Sequence, residues 1–245
     1  MRKAKQKSRF VFRQDDAIIV FKIGKTSNKK IAEANEKIMQ TYSYSIGQFN
    51  EAIKPKTTMI EFFSQDASVC GDCPFAVNNG AKLNDCYTHK RNQYSGFLSQ
   101  LRSVAREFES IDNIPTFDMD MMNSIAYAST DKFVRFGTYG EPTLIPYKLI
   151  TMITARAKNW TGYTHQWAKK RDYSKYFMAS THNLIQEKFA SDMGFRSFVS
   201  SDEPLPSLVS CPASKESGFK SNCSKCGLCS GTEGKGDKSV AIIKH

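Results

Sequence analysis

The sequence predicts an α/β fold built around a parallel sheet, with a partial or complete β/α (TIM-like) barrel as the favoured architecture. Short apolar runs typical of strands alternate with longer segments in which apolar residues recur at helical spacing. Strands separated by such helical segments are typical of parallel β/α units. Hydrophobic residues make up 40% of the 245 residues and no long linker divides them, which predicts one globular core. An open parallel sheet is the alternative.

Two strands and one helix are predicted before the first cysteines. Residues 17–23 (AIIVFKI) form the first predicted strand, and a polar turn follows it. The next segment has a helical pattern that includes Ile31, Ala32, Ile38 and Met39. Residues 58–64 (TMIEFFS) are predicted to form a second strand, which leads directly into the first group of cysteines.

Helices and strands then alternate through the rest of the chain. The predicted helices cover residues 90–110, 118–128, 145–158 and 182–193. The predicted strands cover residues 133–136, 162–165, 176–179, 196–200 and 239–243. In parallel α/β folds, functional residues gather where the strands end, at the C-terminal edge of the sheet. We therefore expect a site at that edge.

The strongest motif is a C-terminal group of four cysteines, called here the four-cysteine segment: Cys211, Cys223, Cys226 and Cys229. Three of them follow the spacing C-x2-C-x2-C, and the fourth is remote and followed by proline. Bacterial ferredoxins bind a [4Fe-4S] cluster with a similar pattern. Zinc is the alternative, although two separated C-x2-C pairs are more usual for it. The surrounding residues are too polar and Gly-rich to fold without a ligand.

A second group, called here the three-cysteine loop, consists of Cys70, Cys73 and Cys86. With His89, its spacing C-x2-C-x12-C-x2-H suits a Cys3His zinc site. Without the histidine, three thiolates predict a [4Fe-4S] cluster with one open iron, where substrate or cofactor chemistry can occur. Shared ligands between the two groups are a third alternative, so one or two clusters are expected.

Three polar residues outside the cysteine groups are candidates for a site at the sheet edge. His165 lies in the cluster GYTHQW at a predicted strand end, where a catalytic group is expected, and a structural histidine is the alternative. Glu141 is a candidate base or amine ligand, and a simple Gly-Glu-Pro turn is its alternative. His245 follows the last predicted strand and is expected to approach the same edge, unless the terminus frays.

The net charge of +11 favours a polyanionic partner, although a lysine-rich solvated surface explains it about as well. The basic start is followed by too short an apolar run for a signal peptide, and no stretch reaches the roughly 20 apolar residues of a membrane span. A cytoplasmic location without membrane contact is therefore expected. Seven cysteines in a reducing compartment are better candidates for metal ligands than for disulfides.

Several motifs together resemble an uncharacterised family of phage and prophage proteins. They are CGDCP at 70–74, CY at 86–87, VRFGTYGEP at 134–142, WTGYTHQW at 160–167, MAS at 178–180, CPAS at 211–214 and CxxCGLC at 223–229. The resemblance covers roughly residues 58–245 and implies a bacteriophage protein that works in the host cytoplasm. It implies no particular activity.

A fold-level resemblance extends to radical-SAM enzymes, which are β/α barrels with a three-cysteine [4Fe-4S] cluster after the first strand. Residues 139–142 (YGEP) look like the Gly-Gly-Glu strand end that meets the methionine moiety of S-adenosylmethionine in those enzymes. The resemblance implies a cofactor-binding role for Gly140 and Glu141. The cysteine spacing differs, since those enzymes use C-x3-C-x2-C, and S-adenosylmethionine binding therefore does not follow from it.

The leading hypothesis is a phage-type iron-sulfur protein, with a redox or radical-SAM-related activity. Residues 1–210 are predicted to form the barrel-like domain with the three-cysteine loop, and residues 211–245 the cluster-binding segment and a final strand. A redox partner or a small-molecule substrate is expected. The competing hypothesis is a non-enzymatic zinc module that binds nucleic acid or a host protein.

Overall fold

The computed structural model describes residues 8–83 and 85–244. Its strands are β1 (Arg9–Gln14), β2 (Ala17–Lys25), β3 (Lys37–Ser45), β4 (Phe133–Tyr139), β5 (Asn159–Thr161), β6 (Tyr163–Thr164), β7 (Met178–Thr181), β8 (Ser197–Ser201), β9 (Val209–Ser210) and β10 (Val240–Ile243). Its α-helices are α1 (Ile46–Ile53), α2 (Met59–Phe63), α3 (Ala67–Cys70), α4 (Arg91–Phe108), α5 (Met119–Ala128), α6 (Tyr147–Thr154), α7 (Leu184–Asp192) and α8 (Cys223–Cys226).

The strands form two five-stranded sheets, which we call sheet A and sheet B. Sheet A has the order β1-β2-β3-β4-β5, with antiparallel pairing from β1 to β3 and parallel pairing from β3 to β5. Sheet B has the order β6-β7-β8-β10-β9, and all of its pairs are parallel. The prediction of an α/β fold with parallel strands is confirmed. In the described part of the chain, the edge strands β1 and β9 do not pair with each other.

The chain passes from sheet A to sheet B at Gly162, which lies between β5 and β6. The Gly162 carbonyl accepts a hydrogen bond from the Met178 amide (3.0 Å), and its own amide donates to the Cys229 carbonyl (2.9 Å). A Cβ atom at this position would lie 2.5 Å from the ring of Phe177. Only glycine therefore fits at the point where the two sheets join.

The hydrophobic core lies on both faces of sheet A. The buried run from Ala17 to Phe21 explains why β2 is the central strand of the antiparallel part. In α4, Phe97, Leu101 and Val104 recur at helical spacing and are buried, so the helix packs along that stripe. Helices α5 and α6 pack against each other, and α7 packs on β7 and β8.

Two of the sequence-based predictions are wrong. Residues 58–64 form helix α2 rather than a strand, because Thr58 and Glu61 make a capping box that satisfies the first free amides. Ile38 and Met39 belong to β3 rather than to a helix, and both are fully buried in the sheet. The predicted helices near 90–110, 118–128, 145–158 and 182–193 and the other predicted strands are confirmed within a few residues.

No helix among the described residues combines the length and the apolar composition that a membrane crossing requires.

Candidate functional site

Both cysteine groups approach the same face of the two sheets, which we call the inner face. Successive side chains of a strand point to opposite faces, so Phe133 and Arg135 share one face of β4. Cys223 packs against a buried cluster that includes Phe133. On the next sheet, Cys211 packs against a buried cluster of Met178, Cys229 and Val240. The four-cysteine segment therefore lies against the inner face, near the start of β4.

The three thiols of the three-cysteine loop lie near one another. Burial raises the pKa of Cys70 well above its usual range, and the neighbouring Asp66, Cys73 and Cys86 raise it further. Burial likewise raises the pKa of Cys86, to which Cys73 also contributes. A bound metal cation would offset the repulsion between neighbouring thiolates and so favour their ionised form.

Local hydrogen bonds give the three-cysteine loop its shape. The Cys70 amide donates to the Asp66 carbonyl (2.8 Å), and the Cys73 amide donates to the Cys70 carbonyl (3.1 Å). The Asn79 side chain donates to the carbonyls of Gly71 (2.7 Å) and Cys73 (2.9 Å). Gly71 has a φ of 53°, which favours glycine. The short helix α3 and these loop bonds together position the two thiols of the C-x2-C motif.

Glu141 and His165, the predicted catalytic candidates, lie together beside Cys73 at the ends of β4 and β6. The Glu141 carboxylate is only 6% exposed. It accepts hydrogen bonds from the Thr164 hydroxyl (2.6 Å) and the His165 amide (2.8 Å). The His165 ring contacts Glu141 through Nδ1 (3.5 Å) and the Cys73 sulfur through Nε2 (3.8 Å). The predicted position at the C-terminal edge is confirmed for both residues.

The His165 ring is held in its charged form by these two neighbours. Burial lowers the pKa of His165, but the hydrogen bonds to Cys73 and Glu141 and their negative charges outweigh it and raise the pKa to about 10. The ring also stacks on His182 at 5.6 Å between centroids. A cation therefore lies directly beside one thiol of the three-cysteine loop.

Gly140 allows the chain to bring Glu141 to this position. Its φ is 72°, and a Cβ atom there would lie 2.6 Å from the Ser43 carbonyl oxygen. The Glu141 amide then donates to the Val69 carbonyl (2.7 Å). Since Val69 lies in α3, this bond ties the end of β4 directly to the three-cysteine loop. A cofactor-binding role for Gly140 and Glu141 stays a prediction.

Asp66 is a second carboxyl at this site, and no motif in the sequence points to it. Burial raises the pKa of Asp66 to about 6, while hydrogen bonds from backbone amides and from Cys70 oppose the rise. Its Oδ1 accepts from the Asn78 amide (3.4 Å), and its Oδ2 is buried without a partner among the described residues. The three-cysteine loop is thus surrounded by groups that titrate.

The four-cysteine segment is held mainly by backbone bonds to other elements. The Cys223 amide donates to the Lys30 carbonyl (2.9 Å), and the Cys211 amide donates to the Ala241 carbonyl (2.9 Å). Asn222 caps α8 by accepting from the Lys225 amide (3.0 Å). The first two bonds fix the backbones of Cys223 and Cys211 to two different parts of the fold.

The thiols of this segment raise each other's pKa as well. Burial raises the pKa of Cys223 to about 11; the charge of Arg135 opposes this rise, and Cys211 and Cys226 add to it. Burial also raises the pKa of Cys229, and the other three cysteines of the segment add to it. All four thiols are therefore close enough to interact.

Arg196 fixes the loop that follows the last of these cysteines. Its side chain is buried, and its guanidinium donates to the carbonyls of Leu228 (2.8 Å), Gly231 (2.9 Å), Lys235 (3.2 Å) and Lys238 (2.8 Å). A single side chain from the start of β8 thus replaces regular secondary structure in a Gly-rich loop.

All seven cysteines are free, so every thiol is available as a ligand. Soft thiolate donors suit iron-sulfur clusters and zinc. Within residues 8–83 and 85–244, no three His, Cys, Asp or Glu side chains are grouped tightly enough to hold a metal ion as they stand. The thiol donors thus fit a metal centre in chemical type, and binding a metal would require their side chains to move closer together.

His89, the candidate fourth ligand of the three-cysteine loop, is buried. It is 1% exposed, and its ring centroid lies 4.1 Å from that of Phe63. Its alternative role as a zinc ligand stays a prediction. His245 lies outside the described residues.

No family model, no curated protein and no solved structure matches this chain. The functional argument therefore depends on the residues and their geometry.

Proposed function

We propose that this chain is an iron-sulfur protein with two clusters on its inner face. The four-cysteine segment would hold one [4Fe-4S] cluster completely, through Cys211, Cys223, Cys226 and Cys229. The three-cysteine loop would hold a second cluster and leave one iron open. One observation carries the proposal: seven free thiols are divided into two separate groups, and within each group the thiols lie close enough to raise each other's pKa.

The open position would make the three-cysteine loop the reactive centre. A cluster with an open iron supplies electrons to a molecule bound there, or coordinates it. His165 contributes a positive charge beside Cys73, and Glu141 fixes the His165 ring and backbone. The chain thereby offers a charged, partly enclosed position for a small-molecule substrate or cofactor. The closed cluster would serve structure or electron transfer with a redox partner.

The fold supports a relation to radical-SAM enzymes at the level of architecture. Strand β3 is followed by the three-cysteine loop, and the next parallel strand, β4, ends in Gly140 and Glu141. The parallel strands β3 to β10 would form a partial β/α barrel, since β5 and β6 are separated by only one residue. This order is the one that the resemblance implies, whereas the cysteine spacing departs from it. A radical-SAM-like reaction is accordingly the more specific form of the proposal.

The experiment is metal and sulfide analysis of the full chain, purified without oxygen. The proposal predicts about eight iron and eight sulfide per chain, as two four-iron clusters require, and a brown protein that absorbs visible light. Electron paramagnetic resonance of the reduced protein should show two interacting or distinct signals. A colourless protein with stoichiometric zinc and neither iron nor sulfide would overturn the proposal and favour a zinc module.

A further inference from the structure

Two of the three thiols in the three-cysteine loop lie against a side chain that can donate a hydrogen bond. The Cys73 sulfur is 3.8 Å from His165 Nε2. The Cys86 sulfur is 3.0 Å from the Thr88 hydroxyl. The two contacts come from different parts of the chain, since Thr88 belongs to the loop itself and His165 follows β6. The sulfurs of the loop are thus contacted from two independent directions.

Metal binding would decide the direction of both hydrogen bonds. A cysteine that binds a metal is a thiolate and has no hydrogen to donate. The Thr88 hydroxyl can rotate so that it donates to sulfur. His165 would carry a hydrogen on Nε2, because a lone pair at that nitrogen would face the lone pairs of the thiolate. Both side chains would therefore be donors, with the ligand sulfurs as acceptors.

Glu141 and two neighbouring rings hold the His165 ring against Cys73. The Glu141 carboxylate lies 3.5 Å from His165 Nδ1 and accepts a hydrogen bond from the His165 amide (2.8 Å). The ring stacks on His182, at 5.6 Å between centroids, and is T-shaped to Phe75, at 6.4 Å. Since both ring nitrogens have a neighbour, His165 is placed to orient and polarise a ligand sulfur rather than to take a proton from a substrate.

Both contacts are shielded from water, which strengthens their effect. Cys73 is 8% exposed and Thr88 is 3% exposed. A hydrogen bond is stronger where water is excluded, and stronger again when the acceptor carries a charge. Hydrogen bonds to the sulfurs are among the features that set the reduction potential of an iron-sulfur cluster. A donor stabilises the more negative, reduced state and therefore raises the potential.

We propose that His165 and Thr88 are positioning residues that raise the reduction potential of the cluster in the three-cysteine loop, through hydrogen bonds to the sulfurs of Cys73 and Cys86. This role rests on the proposed function, because it acts on one of the two proposed clusters. In the step concerned, a low-potential one-electron carrier gives one electron to the cluster, and no bond is formed or broken. The added charge lies partly on the sulfurs, where the two donors stabilise it.

A redox titration of the full chain tests this role. The protein is purified without oxygen, reduced stepwise with dithionite and followed by electron paramagnetic resonance. The signal that is lost in Cys73→Ser belongs to the three-cysteine loop, and the signal of the four-cysteine segment is the reference within the same sample. Thr88→Val keeps the shape of the side chain without its hydroxyl. It should lower the equilibrium constant for reduction of the loop cluster about tenfold, or about 59 mV for one electron.

His165→Phe keeps a ring against His182 but has no donor, and it should lower the same potential by at least as much. Three further variants separate hydrogen bonding from packing. Thr88→Ser retains the hydroxyl and should keep the wild-type potential. His165→Gln has an amide N–H that can reach the position of Nε2 and should recover part of the loss. His182→Phe keeps the stacked ring and changes no contact to sulfur, so it should leave the potential unchanged.

Iron and sulfide are measured on every sample, so that the two proposals fail in different ways. Full iron content with one common potential for wild type, Thr88→Val and His165→Phe would overturn the role of the two donors and leave the proposed function standing. An equal shift of the reference signal would also overturn it, because the change would then not be local. A wild-type chain without iron would overturn both. If His165→Phe does not fold, the buried but isosteric Thr88→Val decides the outcome.

Discussion

The three-cysteine loop and the four-cysteine segment differ in what surrounds their thiols. The first is bordered by ionisable side chains, with Asp66, Glu141 and His165 near its sulfurs. The second is held by backbone amides and carbonyls and by the buried Arg196. Groups that change charge suit chemistry, whereas fixed backbone bonds suit a permanent ligand set. The comparison assigns reactivity to one region and stability to the other.

Matched cysteine substitutions provide the strongest test of this assignment. If the proposed function is right, Cys226→Ser should lower the iron content by about half and the melting temperature by about 10 °C or more, because metal binding would then be coupled to the folding of the four-cysteine segment. Cys73→Ser should lower the iron content by a similar amount with a much smaller change in melting temperature. Iron assay and thermal unfolding without oxygen measure both. Equal thermal losses in the two variants would remove the distinction.

Arg196→Met should destabilise the four-cysteine segment even though it removes no ligand. The substitution leaves four carbonyl groups without their donor, and we expect a loss of about 3 kcal/mol in the free energy of unfolding. Urea unfolding measures this loss. Arg156→Met is the control, since Arg156 is exposed and its guanidinium donates to the Met152 carbonyl of its own helical turn (3.3 Å). An Arg196→Met chain as stable as this control would show that the loop is held by other contacts.

Sensitivity to acid should come from the region around the three-cysteine loop. Burial lowers the pKa of His89 to about 4 from its usual 6.5, so the folded state keeps this ring neutral. Its contribution to stability is fully present above about pH 6.5 and is lost as the pH falls toward 4.

His89→Gln should therefore reduce the loss of stability between pH 7 and pH 5 by about 2 kcal/mol. Urea unfolding of both proteins at the two pH values provides the measurement. Residues 211–244 contain no histidine, so the four-cysteine segment has no histidine that could cause the same pH dependence. An unchanged pH dependence in the variant would mean that another group causes the acid sensitivity.

The smallest effect is expected at the ion pair between Lys169 and Asp72, which joins the three-cysteine loop to the segment after β6 at 2.5 Å. Both side chains are more than half exposed, and such pairs contribute less than about 0.5 kcal/mol. Lys169→Ala should therefore leave the urea midpoint and the iron content nearly unchanged. A large loss of iron in this variant would show that the loop depends on the pair.

Local patterns in the sequence predicted most elements, and the errors have local causes. The apolar stretch at 58–64 suggested a strand, but its Thr58 and Glu61 are spaced as a capping box, a signal that favours a helix. Residues 37–45 alternate polar and apolar side chains in part, which predicts a strand better than the helix that Ile38 and Met39 suggested.

The candidate site could be predicted only where its chemistry is visible in the residue types. Cysteine spacing indicated both groups, and strand ends indicated Glu141 and His165. Arg196 contacts carbonyls 32 to 42 residues away, and such contacts depend on the tertiary fold.

The order of strands in sheet B has a consequence for biosynthesis. Strand β10 is synthesised after β8 and β9, yet it lies between them in the sheet. Sheet B therefore stays divided until residues 240–243 have emerged from the ribosome, and the four cysteines belong to an unfinished sheet until then. A nascent chain that lacks β10 should be the form most exposed to oxidation and proteolysis.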